Sequence, residues 1–312
     1  MARQLRIEYE GAIYHLMNRG DRREPIVKGD KDRHLFLETL EEACEKTDWQ
    51  IHAYCLMRNH FHLLVETPRA NLVEGMRWFM GTYTARFNRR HRYVGHLFSG
   101  RYKSLIVDGS NSGYLRVAGD YVHLNPARAK LLKREQVLRD FRWSSFPTYL
   151  EEPAKRPKWL RVDRVLGEHG IGKDSAAGRR EFERRMEARR WEDDPQTWKS
   201  LQRGWYLGDN EFRQELLELV HQRAGEYHAG VEIGESMEQK AERLIAQELR
   251  KRSWKEADLQ NRPKGDPVKI QLAQLLRKQT TMTMKWIAKR LCIGTVGHLS
   301  NRMYVLSKRN NK

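Results

Sequence analysis

The chain has 312 residues, with 59 Lys or Arg against 41 Asp or Glu, and a formal net charge of +18. This surplus favours a polyanionic partner, most often nucleic acid, and the length suggests two or three domains. The three cysteines form no C-x-x-C pair, which argues against a disulfide framework and a cysteine zinc site and favours a reduced cytoplasm. The sequence shows neither a signal peptide nor an apolar run of membrane-spanning length, which argues against a membrane protein.

Strand and helix patterns alternate along the first half of the chain. Alternating or short apolar runs predict strands at residues 12–18, 51–57, 60–66 and 102–108. Apolar residues at helical spacing predict helices at residues 30–48, 71–91 and 112–132, the last interrupted or ended early by Pro126. The order β-α-β-β-α-β-α predicts an α+β fold, a ferredoxin-like or RRM-like antiparallel sheet with helices on one face.

The second half of the chain is helical in pattern. We expect the first domain to occupy residues 1–150, a helical connecting region to follow at 151–235, and an all-α domain to occupy 236–312. The final domain includes three short helical segments, at residues 266–280, 281–294 and 295–308.

Two histidines stand out in the predicted strand at 60–66. Side chains at i and i+2 of a strand share one face about 6–7 Å apart, so His60 and His62 project together while Phe61 points into the core. Two neutral imidazoles at that spacing can bind one divalent cation. The plainer alternative is a pair of surface or hydrogen-bonded histidines.

The helix predicted at 112–132 contains the stretch "GDYVHLNPARA". Tyr121 and Asn125 are four residues apart, hence on one helix face and about 6 Å apart along the axis. A tyrosine can act as a nucleophile, and an amide oxygen one turn later can complete a metal site. Alternatively, Tyr121 is a packed helix residue and Asn125 a C-terminal cap before Pro126. Asp120 and His123 point off the Tyr121 face, so the general base stays unassigned.

The segments "AIYHLMNRG", "AYCLMRNHFHLLVETP", "GHLFSGRYKSLIVD" and "DYVHLNPARA" resemble the REP-associated tyrosine transposases, a branch of the single-tyrosine HUH transposases. The resemblance covers about residues 1–150. It implies an HUH nuclease domain in which His60, His62 and Asn125 bind Mg²⁺ or Mn²⁺ and Tyr121 is the nucleophile. It further implies attack on single-stranded, hairpin-forming repeat DNA, a 5′-phosphotyrosine link and a free 3′-hydroxyl. The protein would then be a nucleoid-associated DNA strand transferase.

Basic residues in two other stretches predict further DNA contacts. The stretch 85–103 has no acidic residue and interleaves aromatic with basic side chains, which suits phosphates and unpaired bases, and a basic loop follows the first strand. A solvated helix end beside core aromatics would look the same. The predicted contact residues are Arg19, Arg22, Arg23, Arg86, Arg89, Arg90, Arg101 and Lys103.

The last three helical segments resemble a helix-turn-helix, with Gly294 at the turn. Its predicted core is Trp286, Ile287, Ala288, Leu291 and Ile293. Residues 295–308 would be the recognition helix and contact flanking duplex DNA through His298, Ser300, Asn301 and Arg302. A plain helical bundle is the alternative.

Two other functions compete with strand transfer. One is a non-catalytic, sequence-specific regulator that binds repeat DNA, against which the set His60, His62, Tyr121 and Asn125 argues. The other is an RNA-binding module, but the sequence lacks an RNP1-like run of aromatic residues and glycine. Metal dependence and a covalent protein–DNA adduct separate strand transfer from both. Oligomeric state is left open by the sequence.

Overall fold

A computed structural model describes residues 6–110, 112–190, 201, 204–226 and 237–310. The described residues form two compact units, one reaching residue 226 (apart from residues 45–47) and one beginning at residue 237. Within these ranges, no helix combines the length and the apolar character that a membrane crossing requires.

The first unit contains a five-stranded sheet and seven α-helices among its described residues. The strands are β1 (Ala12–Arg19), β2 (Gln50–Leu56), β3 (His60–Thr67), β4 (Lys103–Val107) and β5 (Tyr206–Leu207). The helices are α1 (Asp30–Thr47), α2 (Leu72–His91), α3 (Tyr114–Arg128), α4 (Phe146–Leu150), α5 (Asp163–Glu168), α6 (Ala176–Arg189) and α7 (Asn210–Glu226). Short 3₁₀ turns lie at Asp21–Arg23, Leu138–Asp140 and Pro153–Lys155.

The strand order is β2-β3-β1-β4-β5. The first four strands pair antiparallel in the ferredoxin-like order, which confirms the predicted α+β class. The sheet as a whole is mixed, because β5 adds to β4 in parallel. In the central pair, Arg19 of β1 lies opposite His60 of β3, and Met17 lies opposite His62.

Helices cover both faces of the sheet, so the prediction of helices on one face is wrong. Phe61 of β3 packs against Phe36 of α1, with ring centroids 5.3 Å apart, and against Phe79 of α2 at 6.1 Å. On the opposite face, the ring of Tyr121 in α3 lies 5.5 Å from that of His62. Residues 61–65 are buried without alternation, and a strand buried on both faces requires cover on both.

The described residues between 151 and 226 belong to the first unit, and several of them contribute to its core. The backbone of Ile51 in β2 accepts from Arg161 at 2.8 Å and donates to Trp159 at 2.9 Å. Phe182 of α6 is fully buried, and its ring stacks on that of Tyr149 at 5.3 Å. The predicted division at residue 150 therefore lies inside a compact unit.

A close contact between α2 and Trp49, the residue before β2, gives a stability prediction. A methyl group at Gly75 would clash with the buried indole of Trp49, whose Nε1 donates to Asn71 at 2.8 Å. Gly75→Ala is therefore expected to lower the free energy of unfolding by about 1–3 kcal/mol in urea titrations. Gly81 in the same helix faces open space, so Gly81→Ala is expected to raise it by up to about 1 kcal/mol. Equal effects would refute the packing argument.

The second unit is all α-helical among its described residues, as predicted. Its helices are α8 (Met237–Lys251), α9 (Glu256–Asn261), α10 (Pro267–Gln279), α11 (Met284–Arg290) and α12 (Val296–Asn310). Asp266 caps α10 and Thr283 caps α11 through their side-chain oxygens. Gly294 lies in the turn before α12 with φ +98°. Of the predicted core residues, Trp286 is half-buried and donates from Nε1 to Glu238, while four are buried: Ile287, Ala288, Leu291 and Ile293.

Candidate active site

A cleft of about 350 Å³ lies between α3 and the sheet face formed by β1, β3 and β4. The four residues predicted to bind metal or attack DNA all line it: His60, His62, Tyr121 and Asn125. Three basic side chains also line it, those of Arg19, Lys103 and Arg128. Two residues of strand β3 and two residues of helix α3 thus meet in one solvent-accessible cleft.

His60 is held by its neighbour in the β2–β3 turn. Its Nδ1 lies 2.8 Å from Oδ1 of Asn59, an oxygen that can only accept, so Nδ1 donates. Nε2 therefore carries a lone pair, as in metal-binding histidines whose other nitrogen is held by a hydrogen bond. Burial, together with the charge of Arg19, lowers the pKa of His60 to about 4. The ring is neutral at neutral pH.

His62 is held by a residue that the sequence analysis missed. Its Nδ1 lies 2.9 Å from Nε2 of His15 in β1. Burial lowers the pKa of His15 to about 4, and burial with the neighbouring charges of His15 and His60 places the pKa of His62 well below 6.5. When Nδ1 of His62 donates to His15, Nε2 of His62 presents its lone pair. The sequence did contain a signal for His15: it alternates with Met17 and Arg19 along the first strand, so these three side chains share one face of the sheet.

Helix α3 brings Tyr121 against this histidine cluster. A Cβ at Gly119 would lie 3.2 Å from Val165, so glycine lets the helix pack closely there. The ring of Tyr121 meets the rings of His15 and His62 edge-on at 5.3 and 5.5 Å. The guanidinium carbon of Arg128 lies 4.5 Å from the centre of the same ring.

Asn125 lies one turn after Tyr121 on α3. Its Nδ2 donates to the backbone carbonyl of Tyr121 at 3.0 Å, which leaves Oδ1 as an acceptor at the cleft. The helix continues through Pro126 to Arg128, so Asn125 does not end it. Two imidazole nitrogens and one amide oxygen fit a divalent cation with open positions. Among described residues, no cluster of three His, Cys, Asp or Glu side chains suits a metal, so such a site depends on Asn125.

The two polar neighbours of Tyr121 on α3 make contacts elsewhere. Asp120 is fully buried and accepts from Nε2 of His169 at 2.8 Å and from Arg189. His123 is also fully buried, with its Nε2 2.8 Å from Oγ of Ser145. Both residues fix α3 to the rest of the unit rather than lining the cleft.

The predicted DNA contacts of the first unit divide into three groups. Arg19 and Lys103 line the cleft. Arg86 and Arg90 are bound to carboxylates, at 2.7 Å to Glu42 and 3.0 Å to Asp32. The remaining four are exposed: Arg22, Arg23, Arg89 and Arg101.

The aromatic residues interleaved with this basic stretch are mostly in the core. Phe98 and Tyr102 are buried, whereas Tyr93 is 47% exposed. In the second unit, Ser300, Asn301 and Arg302 of α12 are exposed and His298 is half-buried. Both units thus have exposed basic and polar groups. Of the three interleaved aromatic residues in the stretch 85–103, Tyr93 is the one exposed enough to stack on a base.

Part of the first unit is similar to known proteins. Residues 8–125 match the family model described as "Transposase IS200 like". One similar solved structure is described as "Structure of the REP associates tyrosine transposase bound to a REP hairpin"; it is 15% identical, with a TM-score of 0.41 over 53% of this chain and 93% of that one. No curated protein matches the chain. Residues 8–125 are therefore similar to the IS200-like transposase family.

Proposed function

We propose that the protein is a metal-dependent, single-stranded DNA nicking and strand-transfer enzyme that acts on hairpin-forming repeat DNA through a 5′-phosphotyrosine intermediate. The observation that carries the proposal is the meeting of Tyr121 with the His60–His62 pair in one cleft, with 5.5 Å between the rings of Tyr121 and His62. The transposase family of residues 8–125 supports a DNA-processing role.

Tyr121 would supply the nucleophile. Its phenolic oxygen attacks the scissile phosphorus and displaces the 3′-oxygen in line, so one P–O bond forms as another breaks. The proton lost by the phenol is balanced by the proton that the leaving 3′-oxygen gains. The phosphotyrosine link keeps the phosphodiester bond count unchanged, so a 3′-hydroxyl can later attack it and reseal or redirect the strand.

His60, His62 and Asn125 would hold Mg²⁺ or Mn²⁺, because their lone pairs belong to one cleft. The bound ion would act as a Lewis acid on the scissile phosphate. Burial keeps both rings neutral at neutral pH, the form that can bind a cation. His15 would act as a positioning residue, since its hydrogen bond fixes the orientation of the His62 ring.

Three cations surround the reacting groups. Arg19 and Lys103 extend from the sheet face, and Arg128 extends from α3 over the ring of Tyr121. Positive charge near the scissile phosphate offsets the charge that develops there.

The experiment that tests the proposal uses hairpin oligonucleotides with single-stranded flanks, labelled at either end and incubated with Mg²⁺, Mn²⁺ or EDTA. On a denaturing SDS gel, the 3′-label is expected to shift to protein mass, while the 5′-label appears in a shorter free strand ending in a 3′-hydroxyl. Both products should vanish with EDTA. Tight binding of every repeat without any adduct would contradict the proposal and favour the non-catalytic regulator.

The second unit is proposed to bind flanking duplex DNA as a helix-turn-helix. Residues 267–312 contain ten Lys or Arg and no Asp or Glu. Such a segment suits the DNA backbone, and exposed polar side chains of α12 suit base edges in the major groove.

Replacing Asn301 and Arg302 together by Ala is expected to weaken duplex binding by the full-length protein about tenfold or more. Fluorescence anisotropy with labelled duplex measures the change. Gln271→Ala with Lys278→Ala, two exposed positions on α10, provides the matched control. Equal loss in both double variants would count against α12 as the recognition helix.

A further inference from the structure

A second cleft, of about 340 Å³, lies on the first unit between α3 and α6. It is lined by Arg116, His169, Arg184, Arg185, Ala188 and Arg189. Arg116 is five residues before Tyr121, so its side chain leaves α3 about 140° around the axis from the nucleophile. We infer that this arginine cleft binds the phosphate backbone of the duplex stem of a hairpin DNA substrate.

The charges of the arginine cleft favour an anion. Glu181 contacts Arg184 at 2.7 Å and Arg185 at 2.6 Å, and Asp120 contacts Arg189. Four guanidinium groups therefore face two carboxylates, which leaves two positive charges in excess. Guanidinium groups bind phosphate oxygens through paired hydrogen bonds, and the excess gives the anion a net attraction.

Protein contacts hold part of the cluster in place before any ligand arrives. Arg185 donates to the backbone carbonyl of His169, and Arg189 donates to the buried carboxylate of Asp120. The side chain of Arg184 is 69% exposed, and Arg116 is exposed as well. The cleft thus combines a fixed inner wall with two outer arginines that can close on a phosphate.

The lining points to a nucleic-acid backbone rather than to unpaired bases. The imidazole of His169 is its one ring, and Nε2 of that ring is bound to Asp120 at 2.8 Å. Proteins that bind single strands place aromatic side chains under the bases, whereas contacts to a duplex backbone need only charged and polar groups. A base-paired stem, whose bases are stacked inside, matches this lining.

The position of the cleft suits a hairpin substrate, and here the inference rests on the proposed function. Arg116 and Tyr121 are about 7.5 Å apart along α3, or about two base steps of one strand. Asp120, which holds Arg189, directly precedes the nucleophile in the chain. A stem seated on the arginines would therefore place its single-stranded flank within a few nucleotides of Tyr121.

The test measures binding without cleavage, in full-length protein that carries Tyr121→Phe. Arg116→Ala/Arg184→Ala is compared with Arg134→Ala/Arg180→Ala, which removes the same charge from exposed arginines outside the cleft. Fluorescence anisotropy with a labelled hairpin measures Kd between 50 and 300 mM KCl. The Debye length shortens over this range, so contacts between charges are progressively screened. An unstructured strand of equal length and polyglutamate serve as further ligands.

We expect the cleft variant to raise Kd for the hairpin about tenfold or more, and to lower the slope of log Kd against log salt by about two. The control variant and the unstructured strand should change about twofold or less. An unchanged hairpin Kd, an equal loss for the unstructured strand, or polyglutamate competing as well as duplex would each overturn the inference. Adduct formation by the protein with Tyr121 intact tests the proposed function separately, so either idea can fail while the other stands.

Discussion

Tyr121→Phe is expected to abolish the covalent protein–DNA adduct and to slow strand cleavage by about 10³-fold or more, because it removes the attacking oxygen. The ring contacts of Tyr121 with His15 and His62, and with the guanidinium of Arg128, can persist in phenylalanine. Folding and hairpin binding should therefore be retained. The measurement is the rate of adduct formation on 3′-labelled hairpin DNA, with Kd from anisotropy.

Tyr114→Phe is the matched control, since Tyr114 begins the same helix and lies outside the cleft. It should form the adduct at a rate close to that of the unchanged protein. An adduct of normal yield in Tyr121→Phe would show that another residue is the nucleophile, and the proposed mechanism would fall.

Replacing His60 and His62 together by Ala should lower the affinity for Mn²⁺ by about 100-fold or more, because two of three proposed donors are lost. Adduct formation should be lost with it. His15→Ala removes only the partner of Nδ1 of His62, so a smaller loss, about tenfold, is expected. Titration calorimetry with Mn²⁺ measures affinity independently of DNA cleavage.

His34→Ala serves as the control, because His34 is exposed on α1 and does not line the cleft. Unchanged Mn²⁺ affinity in the double histidine variant would place the ion elsewhere. An equal effect of His15→Ala and of the double variant would show that His15 is a ligand rather than a positioning residue.

Local periodicity was enough to predict which side chains share a face. The spacing of two in a strand predicts that His60 and His62 project together, and the spacing of four in a helix does the same for Tyr121 and Asn125. Whether the two pairs meet depends on how α3 docks on the sheet, which the spacing within each pair does not determine. The cleft confirms their proximity; their roles in catalysis stay predictions.

Features that depend on long-range pairing could not be predicted in this way. His15 reaches His62 only because β1 pairs with β3 in one particular register. Strand β5 has two residues, too few for any pattern to show. Aromatic residues among arginines suggested base stacking, yet Phe98 and Tyr102 are buried in the core. Local composition does not determine whether a loop side chain points to solvent or to the core.

The pairing of β5 with β4 bears on how the chain can be dissected. A protein cut at residue 150 would keep His60, His62, Tyr121 and Asn125, but its β4 edge would lose the backbone bonds from Ile106 to Trp205 at 3.0 Å and from Asp108 to Leu207 at 2.8 Å. An uncovered strand edge invites association with other chains. A fragment that keeps the first unit whole, and with it the paired edge of β4, therefore has to run to about residue 226.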